Sequence, residues 1–200
     1  MRQHNFSFSD PILRQLVKKY PAPAFQDRSD YLYEELIESI ISQQLSIKAS
    51  DTIFRRFKEL FYKEAEQINH FPTPQQILSM PDETLRTAGI SFQKISYIKS
   101  VADAFISGLI DVRKIKKLSD EEVISALTQI RGVGRWTAEM ILIFTLQRPD
   151  IFSLGDLGLR NAITKLYGIT DQKEMLRLSE KWEPFRSTAC WYLWRSLENS

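Results

Sequence analysis

Residues 130–156, IRGVGRWTAEMILIFTLQRPDIFSLGD, hold two features able to do chemistry. Gly132-Val133-Gly134 sits between two apolar helical patterns, and Asp156 follows Trp136 by twenty residues. Glycines at 132 and 134 let backbone N–H groups approach another molecule with no side chain in the way. The amides opening the next helix lack intrahelical acceptors and carry its positive dipole end, so they suit a phosphate oxygen. Asp156 is the strong catalytic candidate near them, a carboxylate able to stabilise developing positive charge or to orient water. Both have plainer uses. A Gly-x-Gly can simply punctuate a helix–helix turn, and aspartate is a preferred N-cap, here for a helix at 157–167. Cap and catalyst are compatible, because a capping carboxylate is rigidly aimed.

The elements that must position these residues are helical, and no segment alternates convincingly as a strand. After Asp30, Leu32, Leu36, Ile37, Ile40 and Ile41 form one stripe at helical spacing. A second helix is expected around 46–61, with Ile53, Phe54 and Phe57. Thr73-Pro74-Gln75-Gln76 and Ser119-Asp120-Glu121-Glu122 are capping boxes that open two more. Pro81 starts a short helix that Gly89 ends, and Gly108 stops another running from Ser91 to Ser107. Residues 135–147 are apolar almost all round, so that helix is expected to be buried. Further helices fall near 157–167, 172–182 and 185–198, Pro184 lying between the last two. Nine or ten short helices and no sheet make an all-α fold.

Composition narrows the chemistry. Two hundred residues, 43 % of them hydrophobic, allow one domain or two small lobes. A formal net charge of +2 permits nucleic-acid binding without arguing for it. One cysteine, Cys190, excludes an internal disulfide and any four-cysteine zinc or iron–sulfur site. His4 and His70, far apart in sequence, make a protein-only transition-metal site a poor prospect. The N-terminus has no apolar signal core, and no apolar run reaches the roughly 18 residues that span a membrane. A soluble intracellular protein is expected, placed in cytoplasm or nucleoid, or in the nucleus, according to cell type.

Ile130-Arg131-Gly132-Val133-Gly134-Arg135-Trp136-Thr137-Ala138 resembles the helix-hairpin-helix signature of the DNA glycosylase superfamily that includes endonuclease III. Asp156 falls where that superfamily keeps its catalytic aspartate. Ile40-Ile41-Ser42-Gln43-Gln44-Leu45-Ser46 looks like the segment from which the family inserts a side chain into the duplex. Lys181-Trp182-Glu183-Pro184-Phe185-Arg186-Ser187, with Trp191-Tyr192-Leu193-Trp194-Arg195, is similar to the C-terminal helix of the DNA-3-methyladenine glycosylase II branch. The resemblance runs from about residue 30 to 196. It implies a two-lobed helix-hairpin-helix glycosylase fold with a DNA-binding cleft between lobes. One lobe would span 31–150, and the termini, 1–30 and 151–200, would pair as the other. The chain looks like a compact form without the N-terminal sheet domain of larger members.

The resemblance also implies roles. Asp156 would be catalytic, Trp136 and Trp194 would line the base pocket, and Gln44 with Leu45 would enter the duplex. Gly132, Gly134, Arg135, Thr137 and Lys94 would contact the DNA backbone. Hairpins of this family often hold a monovalent cation on backbone carbonyls, here those of Ile130 and Val133; no cofactor is otherwise expected. Strand-cutting members carry a lysine two residues after the second hairpin glycine. Trp136 stands there and cannot attack a sugar carbon, which points to a monofunctional enzyme for alkylated purines of the 3-methyladenine and 7-methylguanine type. The expected partner is double-stranded DNA with damaged bases, met by a monomer away from membranes. Other readings stay open: a binding module without chemistry, or a glycosylase for hypoxanthine, ethenoadenine or oxidised bases. Gln43 and Gln44 could merely solvate a helix end, the tryptophans could be core, and Arg113-Lys114-Ile115-Lys116-Lys117 could be a solvated face.

Overall fold

The computed structural model describes residues 8–62 and 70–198, so His4 lies outside the described residues. Among them are twelve α-helices and no strand. In chain order these are α1 (Pro11–Lys19), α2 (Leu32–Ser42), α3 (Ile47–Glu59), α4 (Pro74–Ser79), α5 (Asp82–Thr87) and α6 (Phe92–Ile106). They continue with α7 (Val112–Ile115), α8 (Asp120–Leu127), α9 (Arg135–Met140), α10 (Leu157–Tyr167), α11 (Gln172–Glu180) and α12 (Arg186–Arg195). The helix begun by α9 widens into π geometry over Ile141–Thr145. None of the helices is long and apolar enough to cross a membrane.

The chain divides into two compact units. One is Arg28–Ile141, holding α2 to α9; the other joins the segment up to Asp27 to the segment from Leu142 onward. The second boundary falls at Ile141–Leu142 rather than 150–151. A helix apolar on every side can serve a different core along each half of its length.

In the first unit the α2 stripe does the packing: Leu32, Leu36, Ile37, Ile40 and Ile41 are all fully buried. Burial of such side chains contributes about 1.5–3 kcal/mol each. α6 packs against α2 and α4, burying Ile95, Ile98 and Ala102. Both expected capping boxes are closed in both directions, at Thr73–Gln76 and Ser119–Glu122. Gly89 and Gly108 end their helices in the left-handed region, with φ of 97° and 75°. The basic run at 113–117 begins in α7 and leaves it after Ile115, which is buried, while Lys116 just beyond pairs with Asp30 at 3.0 Å.

The second unit is built around a buried carboxylate. Asp10 is only 7 % exposed and caps α1 by accepting the N–H groups of Ile12 and Leu13 at 2.9 Å. It also accepts the Tyr167 hydroxyl at 3.0 Å and the Trp182 indole N–H at 3.3 Å. One side chain thus ties α1 to α10 and to the segment after α11. Burial, then the neighbouring Asp10 charge, pushes the Tyr167 phenol far above its ordinary range. Around these bonds pack Leu13, Leu159, Ile163, Trp182, Ala189 and Leu193. Cys190 joins them fully buried, its thiol pushed up to about 12 by burial and donating to the Ile151 carbonyl.

Asp10→Ala removes a cap and strands a half-buried hydroxyl and a buried indole N–H. It is expected to cost about 2–4 kcal/mol of stability. A urea titration of wild type and variant, followed by tryptophan fluorescence, measures this.

Candidate functional site

Asp156 is the N-cap of α10, and its Oδ1 accepts two N–H groups: the Leu159 amide at 2.6 Å and the Trp194 indole at 2.8 Å. The cap expected from sequence is therefore present, and the carboxylate is also aimed from α12. Gly158 packs beside both groups. A Cβ there would stand 3.2 Å from Asp156 Oδ1 and 3.5 Å from Trp194 Cδ1. The loop leading to Asp156 is pinned along its length. The Asp156 N–H donates to the Ser153 carbonyl at 3.0 Å, and Arg160 donates to the carbonyls of Leu154 and Gly155, both at 3.0 Å. Further back, the Ser187 hydroxyl donates to the Arg148 carbonyl and accepts the Ile151 N–H. Arg186 grips Asp150 through two nitrogens at 2.8 and 2.9 Å. Phe144, from the π segment, covers one side of Trp194 with ring centroids 5.7 Å apart, and Phe25 meets Phe144 at 6.0 Å.

In the other unit the hairpin borders an open cavity of about 580 Å³, lined by Gln43, Gln44, Lys94, Tyr97 and residues 130–134. Its two glycines differ in function. Gly132 has φ of 94°, and a Cβ there would fall 2.2 Å from Tyr97 Cγ, so glycine is required by packing. At Gly134 a Cβ would meet nothing within 4 Å, so the backbone is open to an approaching molecule. Thr137, expected at the DNA backbone, is 4 % exposed and lies in the first turn of α9.

The expected basic contacts are also arranged differently. Arg135 bonds Glu121 at 2.7 Å and Glu139 at 3.0 Å, and the pairing holds the Glu121 carboxyl below its usual range. Lys94 donates its ammonium to the carbonyls of Ile41 and Gln43. Both cations are thus engaged within the protein, Lys94 through two of its three donors. Arg131 is exposed, lies over the Tyr97 ring at 5.8 Å, and bonds no carboxylate among the described residues. Sequence reading assigns no role to Arg131, Tyr97 or Gly158. A glycine inside the first turn of a helix asks for a packing reason, and that was the available signal for Gly158.

Gln44 is exposed and held in the left-handed region at φ 59°, a strained setting for a side chain other than glycine. Leu45 beside it is 38 % exposed, and Ile47, at the start of α3, is more so. Trp136 stands 46 % exposed on α9, in the same unit as the hairpin. Tyr33 packs between Phe71 and Phe105, and Trp182 is core. Ile130 and Val133 bury their side chains, and the Ile130 carbonyl accepts the Val133 N–H at 3.0 Å. Among the described residues no cluster of His, Cys, Asp or Glu has a metal-binding arrangement.

The model of the HhH-GPD superfamily, base excision DNA repair proteins, matches residues 37–185, which hold both the hairpin and Asp156. The chain belongs to this family. It is 45 % identical over 168 residues to DNA-3-methyladenine glycosylase 1 of Schizosaccharomyces pombe, covering 82 % of this chain and 72 % of that protein. It is 34 % identical over 173 residues to a putative DNA-3-methyladenine glycosylase of Bacillus subtilis, covering 84 % of this chain and 60 % of that one. The fold is similar to the solved S. pombe 3-methyladenine DNA glycosylase in complex with abasic DNA. That likeness has a TM-score of 0.82 and 41 % identity, covering 95 % of this chain and 93 % of that one.

The two glycines give a paired test. Gly132→Ala forces a clash with Tyr97 and a left-handed alanine, and is expected to lower stability by about 2 kcal/mol or more. Gly134→Ala has open space and should stay within about 0.5 kcal/mol of wild type, yet weaken binding to duplex DNA. Thermal unfolding and fluorescence anisotropy separate the two effects.

Proposed function

We propose that this protein is a monofunctional DNA glycosylase that flips alkylated purines out of duplex DNA and hydrolyses their N-glycosidic bond. The observation that carries the reading is the Asp156 carboxylate, fixed at one oxygen by the Leu159 amide and the Trp194 indole N–H. N3- or N7-alkylated purines already carry positive charge, so the base leaves with the bonding electrons and needs little help from an acid. The sugar is what requires help. It becomes oxocarbenium-like as the bond breaks, and a preorganised carboxylate stabilises that charge without reorienting at the moment of reaction. Water then adds to C1′ and gives up a proton, leaving an abasic site.

The remaining roles follow from the environments of the side chains. Gln44, exposed and strained at the end of α2, suits the gap left by a flipped base, with Leu45 beside it. Trp136 offers an exposed π-face to an electron-poor purine, an attraction worth about 0.5–2 kcal/mol. Trp194 is committed by its N–H to Asp156 and by its ring to Phe144. Orienting the carboxylate is therefore its first task, ahead of the stacking that the resemblance suggests. Phosphate contacts fall to the Gly134 backbone, the first-turn amides of α9 and Arg131. Trp136 in place of a cleft lysine supports hydrolysis without strand cutting. The close relatives named for 3-methyladenine support the substrate class, and a DNA-bound neighbour supports duplex DNA as the partner.

The test is base release from methylated duplex DNA, wild type beside Asp156→Asn, with strand breaks scored before and after alkali. Wild type is expected to free 3-methyladenine and 7-methylguanine, with breaks only after alkali. Asp156→Asn should keep duplex binding and lose release by about 100-fold or more. Binding by both proteins with no base released by either would leave a non-catalytic module. A species trapped on DNA by borohydride would mean a strand-cutting enzyme.

A further inference from the structure

α2 ends without a glycine. Ser42 is its last residue, Gln43 turns to φ −49° and ψ 127°, and Gln44 follows in the left-handed region. The last carbonyls of a helix need partners, and a single glycine in the left-handed conformation commonly arranges them. Here the partner comes from α6. Lys94 Nζ donates to the Ile41 carbonyl at 2.8 Å and to the Gln43 carbonyl at 2.7 Å. The same loop is tied on its other side, where Gln43 Nε2 donates to the Gly132 carbonyl at 3.2 Å. The Leu45 N–H closes the turn on the Ser42 carbonyl at 3.1 Å. Two of the three donors of the ammonium are thus spent on backbone carbonyls at the end of α2, one of them immediately before Gln44. Loss of water around this half-buried group also lowers its pKa below that of an ordinary lysine. A lysine that meets phosphates keeps its head in water and its donors available.

We propose that Lys94 is a positioning residue: through the Ile41 and Gln43 carbonyls it holds Gln44 in the left-handed conformation from which that side chain enters the duplex, while Gln43 locks the loop to the hairpin at Gly132. This rests on reading Gln44 as the inserting residue. It also gives a physical account of how a non-glycine residue persists at φ 59°: the carbonyl just before it and that of Ile41 are anchored on Lys94, and the Leu45 N–H after it is closed on Ser42, so the loop has no easy route back to a relaxed turn. Contact of the hairpin with a phosphate and the aim of Gln44 then share one hydrogen-bonded chain, Gly132–Gln43–Lys94.

The test needs no bond breaking. A duplex with a tetrahydrofuran abasic analogue opposite 2-aminopurine brightens when a side chain fills the gap and unstacks the probe. Wild type, Lys94→Met, Gln44→Ala and the double variant are each read for fluorescence at saturating protein and for affinity across a salt series, below their melting temperatures. Lys94→Met is expected to lose about fivefold of the signal, the scale of one or two lost charge-assisted bonds. Gln44→Ala should lose as much, and the double variant no more than either. The salt dependence should be unchanged by Lys94→Met. A full signal with a salt slope reduced by about one would make Lys94 a phosphate contact and overturn the proposal. A full signal with only a lower melting temperature would make it a plain helix cap and overturn it too. If Lys94→Met does not fold, Gln43→Ala, which leaves the lysine in place, is expected to lose about half the signal; a full signal from it would overturn the lock to the hairpin. If wild type gives no signal, the insertion reading itself has failed. The salt slope then still decides between anchoring, in which it is unchanged, and phosphate contact, in which it falls.

Discussion

A single carboxylate oxygen, Asp156 Oδ1, receives an amide N–H from the first turn of α10 and an indole N–H from α12. Much of the unit around it is arranged to keep those three groups in register. The loop from 148 to 156 is fastened to α12 by Ser187 and Arg186 and to α10 by Arg160. Gly158 leaves room beside the carboxylate, where a Cβ would stand 3.2 Å from Asp156 Oδ1. Asp10, in turn, binds α1 to Tyr167 and Trp182 and so fixes the spacing of the helices that carry the site. A carboxylate held in this way loses little when positive charge develops near it, because its direction is set before the charge appears.

The other unit applies the same economy to the backbone. Gly132 is consumed by packing on Tyr97, which leaves Gly134 as the open position of the hairpin. The loop with Gln44 is fastened to the hairpin through Gln43 and to α6 through Lys94. Arg135 is tied to Glu121 and Glu139 and steadies the helix start. Exposed Arg131 lies on Tyr97.

Much of this was legible in the residues, and the rest was hidden for identifiable reasons. Helical period exposed the α2 stripe, and cap chemistry placed the starts of α4 and α8, because both signals are local. The Asp10-Pro11 start of α1 carried the same kind of signal and was passed over. The family resemblance pointed to the hairpin and Asp156. What lay beyond sequence were bonds between distant positions: Lys94 to Ile41 and Gln43, Trp194 to Asp156, Asp10 to Trp182. Residue type shows that a lysine has three donors, not which carbonyls receive them. For that reason the internal bonds of Lys94 and Arg135 appear only in the folded chain. The widening of the helix over Ile141–Thr145, which presents Phe144 to Trp194, likewise has no local signature.

The central claim is that Asp156 stabilises positive charge on a sugar. Its most direct test is the affinity of the protein for two duplexes that differ only at one abasic position, a cationic pyrrolidine in one and a neutral tetrahydrofuran in the other. Wild type should prefer the cation by about 100-fold or more, as binding of a transition-state mimic requires, and Asp156→Asn should bind both duplexes alike. Equal binding of the two duplexes by wild type, or a preference that survives in Asp156→Asn, would contradict it.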